Sequence, residues 1–265
     1  MKSICIKTNN DAHINYLLKN FDRIKINNVF FSSLQFKIYH NIIIHYKDYD
    51  NNKFISSISS ILSSSIIDIC EEKIIKKIIS YEYFYFNPIE KSKVLDFIYD
   101  LQESDYRDKK YKILYDSFYS YISNNKNIYL DGFIPFRAKE YIDFLTKNVD
   151  NAVNNYLIDR EYTEFISILK LYVNSQKSQT NLVHLFYNDS KAILLDENSN
   201  VIEDKKMVLN AKYLSDISFS ENDYAFNTIL SIIPQKIYIH LVDENYDEFI
   251  NTLKLIFENR VVFCK

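Results

Sequence analysis

A single glycine in 265 residues sets the first limit on this chain. Average usage would place about 19 in this length. Glycine adopts positive φ at no steric cost, so nearly every turn and helix end here must be built from Asn, Asp, Ser or Lys. Gly-rich phosphate loops are excluded outright, because neither a dinucleotide fingerprint nor a P-loop can be written with one glycine. The survivor sits in Asp131-Gly132-Phe133-Ile134-Pro135-Phe136-Arg137. Its retention predicts a positive-φ position that no Asn, Lys or Ser could replace.

The rest of the composition follows the same bias. Ile, Asn, Lys, Tyr, Phe and Ser have A/T-rich codons and dominate, while Trp is absent. The 23 Tyr and 19 Phe belong to that bias; a base-stacking reading would need a basic groove beside them. Net charge is −3, with 24 Lys+Arg against 22 Asp+Glu over residues 1–177 and 8 against 13 over 178–265. No basic stripe argues for a phosphate backbone as partner, so nucleic acid ranks below a protein partner. Cys5, Cys70 and Cys264 form no CxxC pair and no metal spacing, which fits a reducing compartment. Cys5 and Cys264 read as small buried hydrophobes in strands. The N-terminus lacks the apolar core of a signal peptide. The longest uncharged apolar stretch, Phe54 to Ile67, is broken by seven serines and reads as too short and polar to span a bilayer. These features predict a cytoplasmic protein without a cofactor.

Periodicity predicts an α+β fold with an N-terminal βαββ unit, a central helical body, and a C-terminal β-hairpin followed by a βαβ ending. Strands are expected at 3–7, 35–39 and 42–46, with a helix over 10–20 between the first two. A long helix over 53–80 follows from Ile55, Ile58, Leu62, Ile66 and Ile69 at steps of three and four. Its spacer Glu71-Glu72-Lys73 is expected to face water. Asn87-Pro88-Ile89-Glu90 has the makings of a capping box with Pro at the first helical position. Another helix is expected over 105–123, and Pro135 is placed to open the next. There, Tyr141, Leu145, Val149, Ala152 and Tyr156 form one stripe, and Ile158, Tyr162, Phe165, Leu169 and Tyr172 a second in shifted phase. The shift predicts a break near Asp159-Arg160 or a helix contacted on two sides. Strands 182–187 and 192–195 form the hairpin, an irregular stretch follows, and 224–232 is helical. Asp243 is placed to cap a helix over 244–257 between strands 236–241 and 260–263. The organisation reads as 1–50, 51–177 and 178–265, or as one continuous domain.

Chemistry-bearing patterns are sparse. His40 and His45 face opposite sides of a strand, and His184 and His240 meet only if their strands pair. No HExxH or equivalent spacing exists, so no metal is expected. Glu161 and Glu164 read as a solvated helix face. Arg137 and Arg160 stand out because the chain prefers Lys, and the guanidinium fork suits bidentate contacts. An internal ion pair to Asp131, Asp150 or Glu161 and a contact to a partner or anion both use that fork.

Several runs carry a family likeness: 131–137, Tyr141, Leu145, Val149-Asp150-Asn151-Ala152-Val153, Asp159-Arg160-Glu161-Tyr162-Thr163-Glu164-Phe165-Ile166, and Leu169-Lys170-Leu171-Tyr172-Val173. With Leu182-Val183-His184-Leu185 and Ile193-Leu194-Leu195-Asp196, this string over about 131–196 resembles the YtxC-like family, associated with sporulation in endospore-forming bacteria. The resemblance implies a sporulation context and a cytoplasmic protein, and it brings no reaction and no catalytic residues. The leading expectation is a non-catalytic interaction or assembly factor in spore formation. Its surface is Asp131, Gly132, Phe133, Phe136 and Arg137, with Arg160 and Glu161 added. One alternative is an enzyme of unrecognised type, which needs a concave pocket with converging polar groups near Arg137 or His184. The other is a weak nucleic-acid binder using Lys73, Lys76, Lys77, Arg107, Lys109, Lys110 and Lys112.

Overall fold

The serine-punctuated isoleucine run becomes α2 (Asn51–Glu82), started by Asp50, whose side chain accepts from the Asn52 N–H. The structure, a computed structural model, describes residues 2–23, 29–36, 39–47, 50–100, 104–189, 191–202, 220–241 and 247–264. The fold is α+β, and the chain divides into two compact units, residues 1–158 and 159–265. Residues 1–50 and most of the helical body therefore share the first unit.

In the first unit, α2 buries Phe54, Ile55, Ile58, Leu62, Ile66, Ile75 and Ile79. Ser59, Ser63 and Ser65 are buried among them, their small side chains allowing close helix approach. The Ser63 hydroxyl donates to the Ser59 carbonyl at 2.8 Å, which satisfies it without a distant partner. By length and composition α2 is apolar enough to cross a membrane, but half of its most apolar window is buried inside the unit. It packs against α1 (Asp11–Arg23) and α4 (Ser104–Asn124).

The accompanying sheet has the order β2 (Val29–Phe36), β3 (Tyr39–Tyr46), β1 (Lys2–Thr8), β4 (Asn127–Tyr129). β3 is antiparallel to both neighbours, and β1 runs parallel to β4. Period-two alternation puts Ile4, Ile6 and Thr8 of β1 and Ile42, Ile44 and Tyr46 of β3 on the buried face. Of the strand expected at 35–39, Gln35 and Phe36 end β2, Tyr39 opens β3, and 37–38 lie outside the described residues. The cap at the start of α3 (Pro88–Asp100) forms as read: Asn87 Oδ1 accepts from Ile89 N and Glu90 N, and Glu90 Oε2 accepts from Asn87 N at 2.8 Å.

Helix α6 (Lys139–Ser175) runs without a break through Asp159-Arg160, where the two units divide. The phase shift marks a change of core. Tyr141, Leu145, Val149, Ala152 and Tyr156 are buried in the first unit's core. In the second unit Ile166 and Val173 are buried, with Tyr162 and Leu169 of the expected stripe partly buried against the same core. Ile158, Phe165 and Tyr172 of the expected stripe are exposed.

The second unit's sheet has the order β6 (Lys191–Leu195), β5 (Leu182–Asn188), β7 (Lys236–Leu241), β8 (Val261–Cys264). β5 and β6 form the hairpin, and β7 runs parallel to β5 and β8. Its buried residues Val183, Leu185, Ile237 and Ile239 share a core with α7 (Glu221–Ile232) and α8 (Glu248–Phe257). Ser220 and Asp223 make a capping box for α7. Asp247 caps α8, its side chain accepting from Ile250 N at 3.1 Å. Asp243 and most of the irregular stretch lie outside the described residues. Cys5 and Cys264 are half-buried rather than fully enclosed.

Candidate functional site

The glycine segment forms its own eight-residue helix, α5 (Leu130–Arg137), and Pro135 lies inside it rather than opening α6. Gly132 does not have positive φ. The requirement is close approach: a Cβ at Gly132 would sit 2.6 Å from Cδ1 of Tyr129, whose ring also packs edge-on against Tyr39. Asp131 turns inward, its Oδ1 accepting from the Thr8 hydroxyl at 2.8 Å and its Oδ2 from the Asn9 N–H at 2.9 Å. Phe133 is buried and stacks on Phe118 at 4.1 Å between ring centroids. Phe136 points outward, 82% exposed. Arg137 is also exposed, with its guanidinium 5.8 Å from the Tyr121 ring centroid. Asp131 and Phe133 therefore anchor the helix, while Phe136 and Arg137 present a surface. Arg160 and Glu161 belong to the second unit. There Arg160 approaches Glu164 at 3.7 Å one helical turn along, and Glu161 is exposed.

Behind α5 lies a pocket of about 630 Å³ in the first unit. Its walls are Asn10 and His13 at the start of α1, Ile66 to Glu82 of α2, Leu130 to Pro135 of α5, and Ile142 and Thr146 of α6. Apolar side chains make most of the lining, and Lys73, Lys77, Asp131 and Glu82 supply the charges. A concave site of this volume is the size that small ligands occupy.

One end of the pocket holds a polar cluster with no sequence signature. The imidazole of His13 is buried, with Nδ1 2.6 Å from Ser65 Oγ and Nε2 3.0 Å from Cys70 Sγ. Burial holds His13 below the ordinary imidazole value; the Asp131 charge opposes this and Lys73 adds to it. Burial likewise pushes the Cys70 thiol up, opposed by Lys73. Both shifts favour the uncharged forms, so a protonated thiol lies against one nitrogen of a neutral imidazole and the Ser65 hydroxyl against the other. These residues are 52 and 57 positions apart, so no spacing rule could join them.

Beside this cluster, Glu71 is buried rather than facing water. Its Oε1 accepts from Lys110 Nζ at 2.5 Å and its Oε2 from the Tyr141 hydroxyl at 2.7 Å. Lys76 pairs with Glu72 on the surface, so Lys76 and Lys110, two of the cations named for a nucleic-acid binder, are engaged by acids. In the second unit, His184 and His240 do meet, with Nδ1 of one 2.9 Å from Nε2 of the other. Burial and the neighbouring His184 hold His240 below its ordinary value. Among the described residues, no group of three or more His, Cys, Asp or Glu is placed to hold a metal ion.

The model of the YtxC-like family matches residues 56–262, well over half of the chain, so the chain belongs to the YtxC-like family. That match includes most of α2 and all of α5 and α6 but begins after His13. A protein of Bacillus subtilis (strain 168) with the name Uncharacterized protein YtxC is 25% identical over 134 residues, covering 50% of this chain and 47% of that one. The match thus spans about half the length of that curated relative. No solved structure matches the chain.

Proposed function

We propose that this protein is a non-catalytic, ligand-responsive interaction factor acting in the cytoplasm during spore formation. One observation carries the reading: α5 contributes both to the pocket wall, through Leu130, Asp131, Ile134 and Pro135, and to an exposed face, through Phe136 and Arg137. A ligand that shifts the short helix would change the face offered to a protein partner. The family likeness supports the sporulation context. The test is crosslinking from sporulating cells with wild type, Phe136→Ala and Arg137→Ala. A partner recovered with wild type and lost with either folded variant supports the reading, and equal recovery from all three overturns it.

The 3.0 Å contact between His13 and Cys70 on the pocket wall favours a second reading, an enzyme with Cys70 as nucleophile and His13 as base. Such a thiol is alkylated rapidly at neutral pH. Burial that keeps the thiol protonated favours binding instead. Slow alkylation of Cys70 that accelerates only above pH 8 would support the binding reading.

A further inference from the structure

Helix α2 offers the pocket two parallel stripes. The inner one, Ile66–Cys70–Ile74–Ile78, advances four residues at a time and lines the cavity together with Leu130, Ile134 and Ile142. It extends roughly 18 Å along the helix axis. The outer one, Lys73–Lys77–Tyr81, follows the same step along the rim. Two lysines one turn apart repel each other by a few tenths of a kcal/mol. Their neighbour Lys76 is neutralised by Glu72, yet neither Lys73 nor Lys77 has an ion pair among the described residues. Among the described residues neither acid of the lining, Asp131 or Glu82, comes within ion-pair distance of either lysine. Asp131 already accepts from Thr8 and Asn9, and Glu82 follows Tyr81 at the last turn of α2. A cationic rim over an apolar wall complements a molecule with the opposite arrangement.

Building on the pocket reading above, we propose that this site binds an amphipathic small-molecule anion: an alkyl or acyl chain that ends in a carboxylate or phosphate. The chain lies along Ile74, Ile78, Ile134 and Ile142, and the head group sits between the ammonium groups of Lys73 and Lys77. The chain's burial supplies most of the affinity and the two lysines supply the selection for charge.

The experiment titrates the full chain calorimetrically with decanoate, decyl phosphate, decanol and decyltrimethylammonium, each below its micelle concentration. Protection of Cys70 from N-ethylmaleimide, read by peptide mass, reports occupancy of this pocket. Decanoate or decyl phosphate should bind and protect Cys70, and the better of the two names the head group. The K73Q/K77Q variant, altered only at exposed positions, should bind that anion about tenfold more weakly and leave decanol unchanged. Equal binding of decanol and decyltrimethylammonium, with no effect of K73Q/K77Q, would leave the pocket reading standing and overturn the anion. No binding or protection by any of the four would remove the pocket reading as well. Retention on phosphatidylglycerol vesicles without binding of monomeric anions would assign the lysines to a membrane surface and also overturn the proposal.

Discussion

Among the described residues, the first unit buries Thr8, His13, Ser59, Ser63, Ser65, Glu71 and Lys110, whereas the second buries one polar side chain, Thr228. Both units set a four-stranded mixed sheet beside helices, so the contrast lies in what fills the core. In the second, Thr228 answers its own helix, donating to the Tyr224 carbonyl at 2.8 Å. In the first, Ser63 also answers its own helix, but the ionisable groups are held across elements: His13 of α1 with Ser65 and Cys70 of α2, and Glu71 of α2 with Lys110 of α4 and Tyr141 of α6. Cross-element polar contacts are costly when one member is lost and specify a single arrangement when complete. The pocket opens in the unit that carries them.

The sharpest way to break this contrast is to leave Glu71 without its cation. Lys110→Met keeps the length of the side chain but strands a buried carboxylate, and should cost about 3–5 kcal/mol in urea unfolding. Adding Glu71→Gln should recover a large part of that loss, since the uncompensated charge is its source. The matched change in the other unit, Thr228→Val, removes only a local hydrogen bond and should cost about 1 kcal/mol. Equal losses for Lys110→Met and Thr228→Val would dissolve the distinction between the cores. Next in size is Asp131→Ala, which removes the acceptor for both the Thr8 hydroxyl and the Asn9 N–H. A loss of about 1–3 kcal/mol is expected, together with faster alkylation of Cys70 as the wall of the pocket loosens. A drop in stability without any change at Cys70 would detach α5 from the pocket.

Local rules found the local features. The capping box at Asn87 and Glu90 lies within four residues, and the long α2 follows from its isoleucine spacing. The two stripes of α6 announce two environments, and of the second stripe Tyr162 and Leu169 pack on the core while Ile158, Phe165 and Tyr172 do not. Ile158, Phe165 and Tyr172 are as apolar as Tyr162, Ile166, Leu169 and Val173, and which set is covered depends on where a sheet lies rather than on the helix. Glu71 was misread for a similar reason, because its neighbours Glu72 and Lys73 are exposed and its own partner is 39 residues away. The His13 cluster joins three elements of tertiary structure that no periodicity connects. The Lys73–Lys77–Tyr81 rim, in contrast, was present in the sequence as a four-residue step beside the Ile66–Cys70–Ile74–Ile78 stripe. Grouping Lys73 and Lys77 with Lys76 and the cations of α4, as the nucleic-acid alternative does, hides that step.

Acid sharpens the contrast less strongly. His13 is held below the ordinary value of about 6.5 by burial, so above that pH it is neutral both folded and unfolded and adds no pH dependence. As pH falls below 6.5, the unfolded chain takes up a proton that the folded one refuses. Stability then declines, by at most about 1.4 kcal/mol per pH unit, until the folded value is reached. Urea midpoints at pH 7.5 and 5.5 should separate for wild type and draw together for His13→Gln. His240 acts in the same direction from a less buried position, so His240→Gln should flatten the profile less. A profile unchanged by His13→Gln would place that imidazole in contact with water.

The smallest predicted effect concerns the backbone. Among the described residues, four non-glycine residues have left-handed φ: Asp189 at 47°, Ser199 at 63°, Ile233 at 43° and Glu258 at 45°, all in the second unit. The one glycine lies in the first, where it makes room for a tyrosine ring. The chain therefore tolerates strain where glycine would relieve it and keeps glycine where a Cβ would collide. Glu258, which ends α8 with ψ −112°, is the cleanest place to measure this, because its side chain is exposed. Glu258→Ala removes the contact with Lys170 at 2.8 Å but keeps the Cβ, and should cost between zero and about 1 kcal/mol. Glu258→Gly removes both and should be more stable than the alanine variant by about 1 kcal/mol, since only L-residues pay for that conformation. If alanine proved the more stable of the two, the left-handed turn at 258 would carry no strain, and the scarcity of glycine in the second unit would have no energetic consequence there.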